Sequence, residues 1–305
     1  MENRTSARHR VTEVEDPHAF AREARPFFQV DEVRSTIALT TLDGVLAGVW
    51  PGARLYRVDA EPGAAEEGRG ARDEGRGAPE GRGSPVLFAL QTPPFPLVVA
   101  RGEVDAVEAL GAYVAAGDPN LPGVTGPVDA ARAFVRGAAR ATSREVAHEK
   151  IMRLYTCREV IPPARPPSGG ARLATPEDLD VIVPMFEAFS ADVRVPLPPS
   201  RPAAERAIRE ARLFVWKDRG AIVSMTQRTL PAGRCTRVNL VYTPRAARGH
   251  GYASALVAHV TETVLREAPG AFACLFTDLE NATSNAIYQA VGYTAVTDYA
   301  ELRFG

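Results

Sequence analysis

Two short stretches hold residues whose types and spacing could do chemistry. The first is Arg245-Ala246-Ala247-Arg248-Gly249-His250-Gly251-Tyr252-Ala253-Ser254. Glycine tolerates backbone conformations that other residues resist, so the main chain can approach a ligand closely. An Ala-rich run suited to a helix follows. The unpaired N–H groups at its start would face the ligand, and the helix dipole favours negative charge there. The backbone N–H groups of Gly249, His250, Gly251, Tyr252, Ala253 and Ser254 are the candidate donors. Arg248 and Arg245 can add charge-assisted hydrogen bonds. The combination reads as an anion cradle. The second stretch is Asn281-Ala282-Thr283-Ser284-Asn285, followed by Tyr288 and Gly292. Asn281 can cap a helix or turn its amide to a ligand. Tyr288 is either a core aromatic of an amphipathic helix or a phenol available as a proton donor.

Several elements must position these residues. Val238–Tyr242 is an apolar strand that feeds the cradle. Gly249–Arg266 reads as a helix with Leu256, Val260 and Val264 on one face. Ala271–Thr277 is a buried-looking strand, Ala282–Val291 a helix, and Tyr293–Phe304 supplies the final strands. Upstream, Ala171–Ala174 is a short strand. Thr175-Pro176-Glu177-Asp178 starts a helix, with a capping Thr, Pro first and acids in the first turn. Leu179, Ile182, Val183 and Phe186 form its stripe, and Pro184 should bend or split it. Arg194–Ser200 is a Pro-rich loop and Arg201–Arg212 a second helix. Leu213–Trp216 and Ala221–Arg228 flank the turn Asp218-Arg219-Gly220, a hairpin signal.

The run Arg248-Gly249-His250-Gly251-Tyr252-Ala253 resembles the R/Q-x-x-G-x-G/A acyl-CoA signature of the GNAT-type N-acetyltransferases. The run Asn281 to Tyr293 resembles the following motif of that superfamily. The expected order, β-α-α-β-β-β-α-β-α-β, is that of its α/β mixed sheet. The resemblance covers roughly residues 170–305, and the whole chain resembles bacterial two-part members whose first half has a related, degenerate fold. It implies acetyl-CoA as acyl donor, with a longer acyl chain as the alternative, and no metal. It implies that Arg248 and the N–H groups from Gly249 to Ser254 bind the pyrophosphate. His250 holds a variable position of the signature and reads as a solvent-facing loop residue. The strand with Leu240 and Val241 splays from the strand after the cradle helix. The pantetheine arm fills the gap, and the N–H of Leu240 or Val241 polarises the thioester carbonyl. Asn281 and Asn285 touch the cofactor, and Tyr288 is the acid that protonates the departing thiolate. Many members carry a Glu on the strand before the cradle; Arg237–Tyr242 has no carboxylate. Glu187, Asp192, Asp278 and Glu280 are the remaining candidates for a base, with a water chain as the alternative. Phe186, Phe189, Trp216, Met225 and Tyr293 could line an acceptor pocket or be plain core.

The chain has 305 residues, 45% hydrophobic and 24% charged, which suits two globular domains. A net charge of −1 gives no field for nucleic acid or membrane, so neither is an expected partner. The expected partner is a small-molecule or peptide amine, and a homodimer is left open. Cys157, Cys235 and Cys274 lack metal-ligand spacing and read as small buried hydrophobes. With no apolar signal core, they suit a reducing cytoplasm.

Residues 1–158 read as a smaller α/β domain. Residues 1–15 are polar and frayed. Asp16 caps a helix that Pro26 interrupts, and a second helix covers Val30–Ala47. Ala53–Val58, Val86–Gln91 and Leu97–Ala100 are strands, Glu103–Ala116 and Pro127–Arg140 helices, and Lys150–Thr156 a strand. Residues 61–84 repeat Glu-Gly-Arg-Gly three times without a large apolar residue and read as a disordered loop. Acids outnumber arginines there, against a basic nucleic-acid segment. Residues 159–170, rich in Pro and Gly, read as a linker to a domain at 171–305. The first half has no such cradle between a strand and a helix, its run Arg72-Asp73-Glu74-Gly75-Arg76-Gly77 lying inside the 61–84 loop, and it is assigned no acyl-CoA site.

Overall fold

The computed structural model describes residues 8–61, 83–193 and 200–305. The expected loops at 61–84 and 194–200 therefore lie almost wholly outside the described residues. The chain forms two compact units, one reaching to Met152 and including Thr297–Gly305, the other Arg153–Val296.

The first unit contains β1 (His9–Glu13), α1 (Pro17–Gln29), α2 (Thr36–Leu46), β2 (Arg54–Ala60), β3 (Pro85–Gln91), β4 (Leu97–Val99), α3 (Val104–Gly117), β5 (Gly123–Pro127), α4 (Val128–Ala141) and the start of β6 (Val146–Cys157). Residues 9–13 are not frayed. They pair antiparallel with β2, and His9 and Val11 turn inward. Asp16 caps α1 by accepting the His18 N–H at 2.8 Å. Pro26 is held inside that helix, which buries Phe20, Ala24 and Phe28. The second helix starts at Thr36 rather than Val30. Asp31 accepts the Arg34 N–H at 3.0 Å, a local turn that competes with helix.

β5 was not legible as a strand, because Gly-Val-Thr-Gly-Pro carries turn residues. Crowding explains its composition. A Cβ on Gly123 would lie 2.0 Å from the Leu302 carbonyl oxygen, and one on Gly126 2.3 Å from that of Val99. β5 runs parallel to β4 on one side. On the other it pairs antiparallel with Tyr299–Arg303 of β12 (Thr294–Phe304), the last strand of the chain. That pairing draws the C-terminus into the first unit, so the boundaries differ from the 158/171 division read from sequence. Val99, Leu110, Val124 and Phe134 belong to the core of this unit.

The second unit contains β7 (Gly170–Leu173), a 3-10 turn (Pro176–Asp178), α5 (Leu179–Val193), α6 (Ser200–Arg209), β8 (Leu213–Asp218), β9 (Ala221–Arg228), β10 (Cys235–Tyr242), α7 (Tyr252–Glu267), β11 (Phe272–Asp278) and α8 (Ala282–Val291). The strand order is β6-β11-β10-β9-β8-β7, with β6 entering through Arg153–Cys157. Thr175 and Asp178 form a reciprocal capping box ahead of α5, and Pro184 does not split that helix. Alternation along β8 builds two cores. Phe214 and Trp216 pack with Leu256 and Val260 of α7. Leu213 and Val215 pack with Ile182 and Phe186 of α5 and Ala204 of α6. Both halves of the chain follow the order β-α-α-β-β-β-α-β-α-β.

Candidate functional site

β10 leads through Pro244 and the turn Arg245–Ala247 to two glycines in the left-handed region, Gly249 at φ +83° and Gly251 at φ +80°. A Cβ at either would meet nothing within 4 Å. Conformation, not crowding by the described residues, therefore asks for glycine here. Gly251 ends the turn, and no side chain caps α7. The first helical bond in that turn runs from the Ala255 N–H to the Gly251 carbonyl at 3.0 Å. The N–H groups of Tyr252, Ala253 and Ser254 thus have no intrahelical acceptor.

The side chains of this turn are held by protein partners. The Arg248 guanidinium donates from Nε to the Thr243 carbonyl at 2.9 Å and from Nη2 to Asp192 Oδ2 at 3.0 Å. His250 is exposed, bonds the Arg248 carbonyl through Nδ1 at 2.9 Å and stacks on Tyr252. The Tyr252 hydroxyl donates to Asp218 Oδ2 at 2.7 Å. This bond raises the phenol pKa and lowers that of the carboxyl. Only the backbone of Tyr252 remains for a ligand at the cradle.

Behind the turn the sheet opens. β10 and β11 share three parallel rungs, from Cys235↔Phe272 to Arg237↔Cys274, and no more. Beyond them β10 bulges. Asn239 faces Gln227 and Tyr242 faces Met225, so Leu240 and Val241 together oppose Thr226. Leu240 takes φ +51°, a strained conformation for a residue with a side chain, costing about 1–3 kcal/mol. The Thr226 hydroxyl, donating to the Asn239 carbonyl at 3.0 Å, and the Ser224 hydroxyl, donating to that of Tyr242 at 3.2 Å, brace the bulge. Asn239 Oδ1 is buried without a hydrogen-bond partner among the described residues.

In the second stretch Asn281 caps α8, its Oδ1 accepting the Ser284 N–H at 3.0 Å. Asn285 is committed to protein at both ends. Its Oδ1 accepts the Tyr155 hydroxyl at 2.8 Å, and its Nδ2 donates to the carbonyls of Asp278 at 2.9 Å and Asn281 at 2.8 Å. Tyr155 comes from β6, upstream of the expected domain, and nothing in the local sequence marks it. Tyr288 is 8% exposed, edge-on to Tyr293 in the α7/α8 core. Burial pushes its phenol up to about 12, with the Ser284 hydroxyl pulling the other way.

The five expected pocket residues do not come together. Phe186 and Phe189 of α5 pack with Met225 of β9 in the α5/α6 core, and Trp216 of β8 and Tyr293 pack in the α7/α8 core; alternation along the strands turns Met225 and Trp216 to different cores. Of the candidate bases, Asp192 is paired with Arg248 and Asp278 Oδ1 accepts the Glu280 N–H at 2.9 Å. Glu187 and Glu280 are exposed.

The first unit is built differently at the corresponding place. Its corresponding parallel pair, β4 and β5, approaches closely at Val99 and Gly126, and only Ala100–Glu103 joins β4 to α3. The Arg101 guanidinium lies 4.1 Å from the Phe27 ring centre. Among the described residues no group of His, Cys, Asp or Glu could hold a metal ion, and no helix is long and apolar enough to cross a membrane.

An uncapped helix start on a strand–glycine turn thus lies beside a parallel pair that parts, on a mixed sheet. Residues 182–293 match the family model described as the acetyltransferase (GNAT) family. The match falls wholly within the second unit, which is thus similar to a GNAT acetyltransferase domain. Solved structures share the fold over nearly the whole length. A GNAT-family acetyltransferase from Colwellia psychrerythraea is 11% identical, with 97% of this chain and 100% of that chain covered and a TM-score of 0.59. A GCN5-related N-acetyltransferase from Sphaerobacter thermophilus is 16% identical, covering 97% and 95%, at 0.60. A tandem GNAT protein from the clavulanic acid biosynthesis pathway is 14% identical, covering 97% and 98%, at 0.54. No curated protein matches the chain.

Proposed function

We propose that the protein is a cytoplasmic, acetyl-CoA-dependent N-acetyltransferase. It would move an acetyl group to a primary amine of a small molecule or peptide by direct transfer in a ternary complex. The parting of β10 from β11 beside the uncapped start of α7 carries this reading. The gap suits an extended arm that bears amides, and the N–H cluster suits phosphates at the end of that arm. An acyl-CoA has both.

In this reading the N–H groups from Gly249 to Ser254 hold the pyrophosphate, and Arg248 exchanges Asp192 for a phosphate oxygen. The N–H of Leu240 or Val241 donates to the thioester carbonyl and steadies the oxyanion as the amine attacks. The C–S bond then breaks, and the amine's proton ends on the sulfur. Asn239 stands where a carboxylate would be convenient. Its carboxamide oxygen can accept a bond from the amine but cannot take the proton, which leaves through water. Tyr288, with a pKa of about 12, stays protonated throughout the neutral range. The raised pKa makes full proton transfer from it to the thiolate less favourable. Its role is then to donate a hydrogen bond to the leaving sulfur, which softens the acid role implied by the resemblance.

The lack of a strand carboxylate favours a second reading, a catalytically silent acyl-CoA-binding module. Free thiol followed in mixtures of protein, acetyl-CoA and a panel of amines separates the two. Amine-dependent thiol release, reduced at least tenfold in kcat by Tyr288→Phe, supports the transferase. Tight acetyl-CoA binding with no thiol release across the panel supports the silent module.

A further inference from the structure

Cys235 and Cys274 lie on neighbouring parallel strands, with Sγ atoms 3.2 Å apart. Both are fully buried. They meet diagonally, since Cys235 is in register with Phe272 and Cys274 with Arg237. Their place is the short paired segment after which β10 and β11 part. A disulfide holds its sulfurs about 2.05 Å apart, so bonding requires closure by roughly 1.2 Å. Past Arg237 no rung ties β10 to β11, and β10 carries its bulge there, so the strands have room for that adjustment. The third thiol, Cys157, is also buried and donates to the Glu159 carbonyl at 3.1 Å.

We propose that Cys235 and Cys274 are a modification site, a dithiol that closes to a reversible disulfide under hydrogen peroxide. One sulfur attacks a peroxide oxygen and the O–O bond breaks, leaving a sulfenic acid and water. The second sulfur attacks the sulfenic sulfur, the S–O bond breaks, and the hydroxyl leaves as a second water. Two thiols lose two electrons in all, and one peroxide is reduced to two waters. Burial of both sulfurs selects for an oxidant this small, entering by local opening where the strands separate. The closed bridge fixes the distance between β10 and β11 at the base of the gap. The proposal does not depend on the transferase reading.

The test uses the full chain in native buffer. The protein is treated with hydrogen peroxide, quenched with catalase, denatured, alkylated with iodoacetamide and weighed. The expected product takes up one alkyl group where the untreated chain, with its three cysteines, takes up three. Before alkylation it is lighter by two hydrogen atoms, and a peptide map joins the segments holding Cys235 and Cys274. Dithiothreitol restores all three thiols. Cys157→Ser gives the same bridge. Three alkyl groups after treatment, added oxygen atoms at either cysteine, or a bridge that includes Cys157 would each overturn the proposal.

Discussion

Gly251→Ala isolates the conformational part of the cradle. At φ +80° an L-residue costs about 1–2 kcal/mol relative to a relaxed backbone. Among the described residues no non-neighbouring atom lies within 4 Å of the added methyl, so the free protein can relax the turn without a clash there. Global stability should then change little, with a Tm shift of no more than about 4 °C. Binding is different, because a ligand held by the N–H groups of this turn needs the left-handed geometry restored. The strain returns as lost affinity, about 5- to 30-fold for acetyl-CoA at 1.4 kcal/mol per decade. Calorimetric titration of wild-type and variant protein, with melts in parallel, measures both quantities. Unchanged acetyl-CoA affinity in a well-folded variant would refute the cradle as the phosphate site. A collapse in Tm with intact affinity would show that the glycine serves folding alone.

Three further outcomes follow from other contacts. Arg172 grips Asp178 with two bonds, at 2.6 and 2.8 Å, and holds its carboxyl down at about 2. A depressed folded-state pKa stabilises above the unfolded value of 3.8 and is lost as pH falls from there towards 2. Discounted for the partial exposure of Arg172, the contribution is about 1–2 kcal/mol, and Asp178→Asn should flatten acid denaturation by that amount over this window. Tyr155→Phe removes the hydroxyl that Asn285 accepts and should speed amide exchange at Asn281–Asn285, read by mass spectrometry, while leaving the cradle turn unchanged. Unaltered exchange there would mean that the bond does not hold α8 in place. A kcat profile of the wild type should show no loss from Tyr288 ionisation below about pH 11, given its pKa of about 12.

The cradle was legible because its residues are contiguous and each acts through local geometry: two glycines, a turn and a helix start. The capping box at Thr175 and Asp178 and the hairpin of β8 and β9 were legible for the same reason. What escaped depends on partners distant in sequence. β5 reads as a turn until Val99 and Leu302 are seen to crowd its glycines. The departure of Thr297–Gly305 for the first unit depends on pairing with a strand more than a hundred residues upstream. Leu240 gives no hint of positive φ, since its bulge is set by the register with β9. The pocket candidates were recognised as inward-facing, but strand phase puts Met225 of β9 and Trp216 of β8 in different cores.

In the proposed complex an acyl-CoA lies across the α7 start with its arm between β10 and β11. A crystal structure of the protein with acetyl-CoA tests it directly. Pyrophosphate oxygens are expected on the N–H groups between Gly249 and Ser254, and the thioester carbonyl on the N–H of Leu240 or Val241. Acetyl-CoA bound elsewhere, or an arm that does not pass between β10 and β11, would contradict it.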